Sequence, residues 1–328
     1  MRNHDKVYWE QYYKFWDEFV EAWFTSMKSD KNIAEQAAMQ FGTASCINLD
    51  ELPEPYYGKP HEGVDAVFIN LNPGMSTEYK LESTKFFSKL ASPCPDEGWL
   101  LKNYVKLGSY RKYADEWSCL EPELRNHDPE VCGVKWWQDI VPRPIGGRMS
   151  WVRRIYDKLS MCPSKVFALE LCPFHSKQWE FNFADDTKLK DFICEHVIEP
   201  AVVATIENNL PFAIAVGASI RDILSYVGAT EEEESKKWSC KSHNHQRKLY
   251  DEKLRGVWPY PNGKLVVRNY RLFRIKCAKG TARILVTWAP GGNTCPQADF
   301  CNVEQRVRQY VYNNPINDVV ETSGVRKC

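Results

Sequence analysis

Residues 64–76 read Val-Asp-Ala-Val-Phe-Ile-Asn-Leu-Asn-Pro-Gly-Met-Ser. An apolar run of strand length stops at asparagine and a Pro-Gly turn, the pattern of a buried strand running into a loop. Three later stretches repeat it. Lys165–Leu171 runs into Cys172-Pro173-Phe174-His175-Ser176, Pro211–Val216 into Gly217-Ala218-Ser219, and Arg283–Trp288 into Ala289-Pro290-Gly291-Gly292-Asn293-Thr294. Helical patterns separate the four runs, at 80–90, 151–160, 186–208 and 218–227. Continuous apolar strands alternating with helices argue for a mainly parallel sheet covered on both faces. The expected fold is a three-layer α/β/α sandwich with a short, four-stranded, mainly parallel sheet.

Outward from these strands, residues 5–28 carry Trp9, Tyr12, Tyr13, Trp16, Phe19, Val20, Trp23, Phe24 and Met27 at helical spacing. The spacing predicts a helix with one core-facing stripe. A second helix is expected near 31–41 and a last one at 299–312, followed by a tail over 313–328. Residues 1–312 read as one domain with two insertions, 91–150 and 229–262. The first is rich in Pro, Gly and Trp, and loops this long tend to be functional. The second turns basic after its acidic start, through Lys236, Lys237, Lys241, Arg247, Lys248, Lys253 and Arg255; it suits a nucleic-acid backbone or simply a solvated loop.

The 328 residues balance 43 Lys and Arg against 43 Asp and Glu, so net charge favours no class of partner. The N-terminus lacks an apolar signal core, and no apolar run reaches membrane-spanning length. A cytoplasmic or nuclear monomer without membrane contact is expected. The 12 cysteines contain no CxxC pair, so reduced thiols are expected and neither an iron–sulfur cluster nor another cofactor is. Cys240, His243 and His245 have loosely metal-like spacing but lack a fourth ligand, and no metal is expected.

The four tails, in their order, resemble the uracil-DNA glycosylase superfamily. Leu71-Asn72-Pro73-Gly74 is similar to the first motif of its mismatch-specific thymine/uracil and single-strand-selective monofunctional branches. Phe167–Phe174 looks like the second strand of the latter, Ala213–Gly217 like the third strand and its turn, and Ala289–Thr294 like the final loop, which enters the minor groove. The resemblance implies that Asn72 positions the attacking water, that Phe86 or Phe87 stacks on the extruded base, and that Ser76 holds a phosphate. Further DNA contacts are expected from His175, Ser219, Pro290, Gly291, Gly292 and Asn293. Arg148 belongs to a cluster with Arg143, Arg153 and Arg154, interleaved with Trp136, Trp137 and Trp151, which suits phosphate and base contacts or a solvated helix face over core tryptophans.

Two positions depart from the family. Glu170 stands where uracil glycosylases carry asparagine. A carboxamide pairs with uracil, whereas a carboxylate accepts from the cytosine N4 amino group, and a protonated acid also donates to N3. A glutamate in a dry pocket is held protonated. Glu170 is therefore expected to be base reader and general acid together, the alternative being a strand-end salt bridge. Ala289 stands where the family has His or Asn against the base, which fits a different leaving-group strategy, room for a bulky base, or lost activity. The expected activity is a monofunctional DNA glycosylase that excises a 5-substituted cytosine, with an anti-phage role because such bases occur mainly in viral DNA. The alternatives are a uracil or damaged-pyrimidine repair glycosylase and an inactive nucleic-acid-binding scaffold.

Overall fold

The computed structural model describes residues 3–29, 53, 55–71, 166–174, 187–243, 265–288 and 297–316. The first helix, α1, spans Asn3–Ser29. Trp9, Tyr12 and Trp16 follow one another at spacings of three and four and are all buried. Trp9 and Tyr12 meet the Phe167 ring edge-on, with centroids 5.6 and 6.4 Å apart. The aromatic stripe is thus the surface by which α1 docks on the sheet.

The strands in chain order are β1 (Tyr56–Tyr57), β2 (Ala66–Asn70), β3 (Val166–Glu170), β4 (Ala213–Val216), β5 (Thr230–Glu231), β6 (Cys240–His243), β7 (Leu265–Cys277) and β8 (Gly280–Trp288). Six have four or more residues, and β1 and β5 are two-residue additions. The sheet order is β1-β3-β2-β4-β8-β7-β5, with β6 also on β7. The four expected strands are β2, β3, β4 and β8. They lie side by side as β3-β2-β4-β8, and every pairing among them is parallel. Their residues are almost wholly buried because both faces are covered.

The protein is an α/β chain with a mixed sheet, and the expectation of four strands is too small. β7 joins β8 through a two-residue turn and pairs with it antiparallel from Asn269↔Trp288 to Cys277↔Gly280. The second insertion adds β5 and β6 to β7, both antiparallel, with a 3-10 turn at Glu233–Trp238 between them. Lys236 and Lys237 do not stand ready for a partner there; they pair with Glu233 and Glu234 at 2.6 and 2.7 Å. At its N-terminal end β7 overshoots β8. Leu265–Arg268 lie beyond the Asn269↔Trp288 pair and pair with β6.

Helix α2 (Thr187–Ile193) continues through a π turn (Cys194–Ile198) into α3 (Glu199–Glu207). Pro200 has no N–H to bond four residues back, and the Glu199 N–H reaches five residues back to Cys194 O. Helix α4 spans Ser219–Tyr226 and α5 spans Gln297–Asn313, each within two residues of expectation. The helices expected at 31–41, 80–90 and 151–160, and the 91–150 insertion, lie outside the described residues.

Alternation along the strands sorts the core into two layers. Val67, Ile69, Leu169, Ala215 and Val286 pack with α1, α2, α3 and α4. Phe68, Ala168, Ile214 and Leu285 face α5 through Val303 and Val307. A buried ion pair pins α5 at the amino end of β8: Arg283 Nε donates to Glu232 Oε1 at 2.7 Å, and Arg283 Nη2 to Asn314 O at 2.6 Å.

Candidate active site

After β2 the chain goes to β3 on one side, then crosses to β4 on the other. The strand order reverses at that point, and in open parallel sheets a reversal opens a crevice at the carboxyl ends of the strands. Backbone geometry holds the tails together there. Leu171 N donates to Asn70 O at 2.9 Å, Cys172 N to Leu71 O at 2.8 Å, and Gly217 N to Thr287 O at 3.0 Å. The β4 tail passes so close to the β2 tail that a Cβ on Gly217 would sit 2.6 Å from Leu71 Cδ2, and Gly217 also has φ +129°. Glycine is required here on both counts.

On the face toward α5, polar side chains line up across the last row of the sheet. Glu170 is opposite Asn70, Val216 opposite Thr287, and Thr287 opposite Tyr270. Glu170 is 1% exposed, Asn70 7% and Thr287 0%. The same face one step back is apolar, with Ala168, Phe68, Ile214, Leu285 and Leu272. Asn70 Nδ2 donates to Glu170 Oε1 at a long 3.3 Å. With the amide nitrogen donating to Glu170 Oε1, Asn70 Oδ1 is turned away from the carboxyl. Asn70 Oδ1 and Thr287 Oγ1 are buried without a hydrogen-bond partner among the described residues. Native structures leave few such groups, and they concentrate where a ligand or water completes the set. The row thus holds an amide oxygen on β2 and a hydroxyl on β8 that no described residue satisfies, with the Glu170 carboxyl beside the first.

Of the expected site residues, Glu170 lies in this row and Ser219 is the first residue of α4 at the same edge. Ser219 is not the N-cap; Ala218 is, with no side-chain cap bond. Described segments end at Leu71, Phe174 and Trp288, immediately before Asn72, His175 and Ala289. Those three, with Ser76, Phe86, Phe87, Arg148, Pro290, Gly291, Gly292 and Asn293, lie outside the described residues, as do the His245 ring and the side chains of Cys240 and His243. Asn70, Thr287 and Gly217 were not among the expected site residues. For the first two, the signal is a lone polar residue closing an apolar strand.

A second concavity, of about 230 Å³, lies between α1 and the Pro60–Glu62 turn, lined by Trp9, Tyr13, Tyr56 and His61. Its polar groups pair with one another or with the frame. Tyr13 shares a 2.8 Å hydrogen bond with His61 Nδ1, and Trp9 Nε1 donates to Glu207 at 2.7 Å. Burial holds His61 below the ordinary histidine value. Among the described residues no group of three His, Cys, Asp or Glu side chains converges as metal ligands would, and no helix is long and apolar enough to cross a membrane. Comparison with family models, curated proteins and solved structures gives no significant match to this chain.

Proposed function

We propose that the chain is a monofunctional DNA glycosylase on a uracil-DNA-glycosylase-like scaffold, and that it hydrolyses the bond between deoxyribose and a 5-substituted cytosine. The observation that carries the reading is the buried Glu170 carboxyl held by Asn70 at the carboxyl edge, with Asn72 two residues after Asn70 in the sequence. In this reading the base leaves the stack and enters the crevice edge-first. Asn70 holds one carboxyl oxygen and so sets the plane of the Glu170 group. The carboxyl accepts from N4 and delivers a proton to N3. The C1′–N1 bond then breaks, its electron pair leaving on the protonated base. A water positioned by Asn72 adds to C1′ and releases its proton to solvent. The products are the free base and an abasic sugar. Positioning and electrostatics supply most of the rate in such a site. The Asn70 amide donates to Glu170 Oε1 and so holds that oxygen as the acceptor opposite the 4-substituent; cytosine offers an amino group there, uracil offers O4, and the mismatch rejects uracil.

The test is abasic-site formation on a panel of DNAs bearing cytosine, uracil and 5-substituted cytosines. Release of a 5-substituted cytosine in preference to uracil is expected. Asn72→Ala should slow the single-turnover step by about a hundredfold. Glu170→Gln should slow it too and abolish the fall in rate with rising pH that a general acid imposes. Efficient uracil release unaffected by Glu170→Gln would instead favour a repair glycosylase. Binding without release from any substrate would favour an inactive scaffold.

A further inference from the structure

Trp288, the last residue of β8, carries two guanidinium groups. Arg221 Cζ lies 4.3 Å from its ring centroid and Arg271 Cζ 5.8 Å. Their circumstances differ. Arg271 is engaged: its Nε is 3.0 Å from Glu231 Oε1, and its Nη1 donates to Ser239 Oγ at 3.0 Å and to Tyr270 O at 2.8 Å. The Arg221 side chain makes a single hydrogen bond among the described residues, Nε to the O of Ala218, the N-cap of α4, at 3.3 Å; the Arg221 backbone N–H donates to the same oxygen at 3.1 Å. Its two terminal nitrogens meet no acceptor, and no carboxylate pairs with it, among the described residues. The indole face and the Ala218 carbonyl hold the plane of the guanidinium and leave its outer edge, with the paired donors, unused. A planar guanidinium held this way fits the two oxygens of a phosphodiester.

The location matters as much as the geometry. Arg221 stands two residues after Ser219 in α4, and Trp288 closes the fourth parallel strand, so both lie at the carboxyl edge where the polar row ends. Trp288 packs with the α1 face of the sheet, and Thr287 beside it faces α5. A strand placed with its base in the row and its backbone over the edge meets Arg221 on the far side.

We propose that Arg221, laid on Trp288, is an anchor for one phosphodiester group of the DNA strand whose base enters the crevice. The proposal rests on DNA being the ligand, as argued above, and assigns a contact that the sequence motifs do not include. Arg221 acts on the backbone, so it contributes to affinity for every sequence and carries no base preference.

The experiment is fluorescence anisotropy of a labelled oligonucleotide, single-stranded and as a duplex, titrated with the full chain at several salt concentrations. Arg221→Met keeps the aliphatic cover on Trp288 but removes the charge and the donors. It should weaken binding about tenfold whatever the base, and reduce the slope of log affinity against log salt by about one contact. Arg221→Lys should keep the salt slope and lose only part of the affinity. The melting temperature should stay at the wild-type value in both. Wild-type affinity and slope in Arg221→Met, or a fall in melting temperature alone, would show that Arg221 only covers the tryptophan. If wild type releases a base while Arg221→Met binds normally, the anchor fails and the glycosylase reading stands. If wild type binds with an Arg221-dependent slope but releases no base, the anchor stands and the glycosylase reading fails. Absence of any DNA binding by wild type overturns both.

Discussion

Asn70 and Glu170 are two buried polar side chains on neighbouring strands, joined by one 3.3 Å contact. The amide is what lets the pair stay buried with a single carboxyl. Asn70→Asp puts a second acid beside the protonated Glu170, and burial disfavours its charged form. The folded variant must then hold one proton more than the wild type, a proton that the unfolded chain does not hold near neutral pH. The folded variant then binds more protons near neutral pH, so its stability falls as pH rises. The deficit relative to wild type, read from urea midpoints, should be larger at pH 8 than at pH 5; an equal deficit would place the pair in contact with solvent. Gly217 makes a second prediction at this scale. Its φ of +129° and the 2.6 Å approach to Leu71 both oppose a side chain. Gly217→Ala should lower stability by about 2 kcal/mol or more in urea unfolding. Adding Leu71→Ala should not recover it fully, because the backbone strain remains.

At the scale of elements, α1 is locked onto the π turn by His196. Its ring stacks on Phe15 with centroids 3.8 Å apart and planes 3° apart, and it touches Trp16 and Phe192 as well. Burial lowers its pKa from 6.5 to about 4. Above the unfolded value both states are neutral and the group has no effect on stability. As pH falls from about 6.5 toward 4 the unfolded chain takes up the proton first, and folding loses about 3 kcal/mol by linkage. His196→Phe should flatten the pH dependence of unfolding in that window; an unchanged slope would mean that another group titrates there. Glu232 acts lower on the scale. Burial pushes its carboxyl up, but hydrogen bonds from Tyr310 and Arg283 outweigh this and hold it below the ordinary glutamate value. Its share of stability is therefore present above the ordinary glutamate range and is lost as pH falls through and below it.

For the whole molecule, the four parallel strands were legible because burial on both faces leaves an apolar run that no other element of that length produces. The six-residue stretch Leu272–Cys277 carries a different pattern from the parallel strands. Its Arg274 and Lys276 alternate with buried Ile275 and Cys277, the period of an antiparallel strand with one open face, and these charges break the continuous apolar run that marks the four parallel strands. Asn70 is obscured for a related reason: a polar residue before Asn-Pro-Gly looks like the start of a turn. At Gly217 the turn after the strand is legible, but the close approach of Leu71 is not, since Leu71 is distant in sequence.

The overshoot of β7 makes the carboxyl edge lopsided. Leu265–Arg268, paired with β6, carry β7 roughly 13 Å past Trp288, the last described residue of β8, at the usual rise per residue. That parapet stands on the β8 side, and the described strands on the β3 side have no counterpart. If the ligand is a polymer, its two directions away from the crevice are not equivalent. Hydroxyl-radical footprinting of bound DNA should then protect unequal lengths on the 5′ and 3′ sides of the target base. A symmetric footprint would mean that the strand runs parallel to the parapet instead of against it. Polarity of approach would in this way be written into the length of one strand, without any side chain that recognises 5′ from 3′.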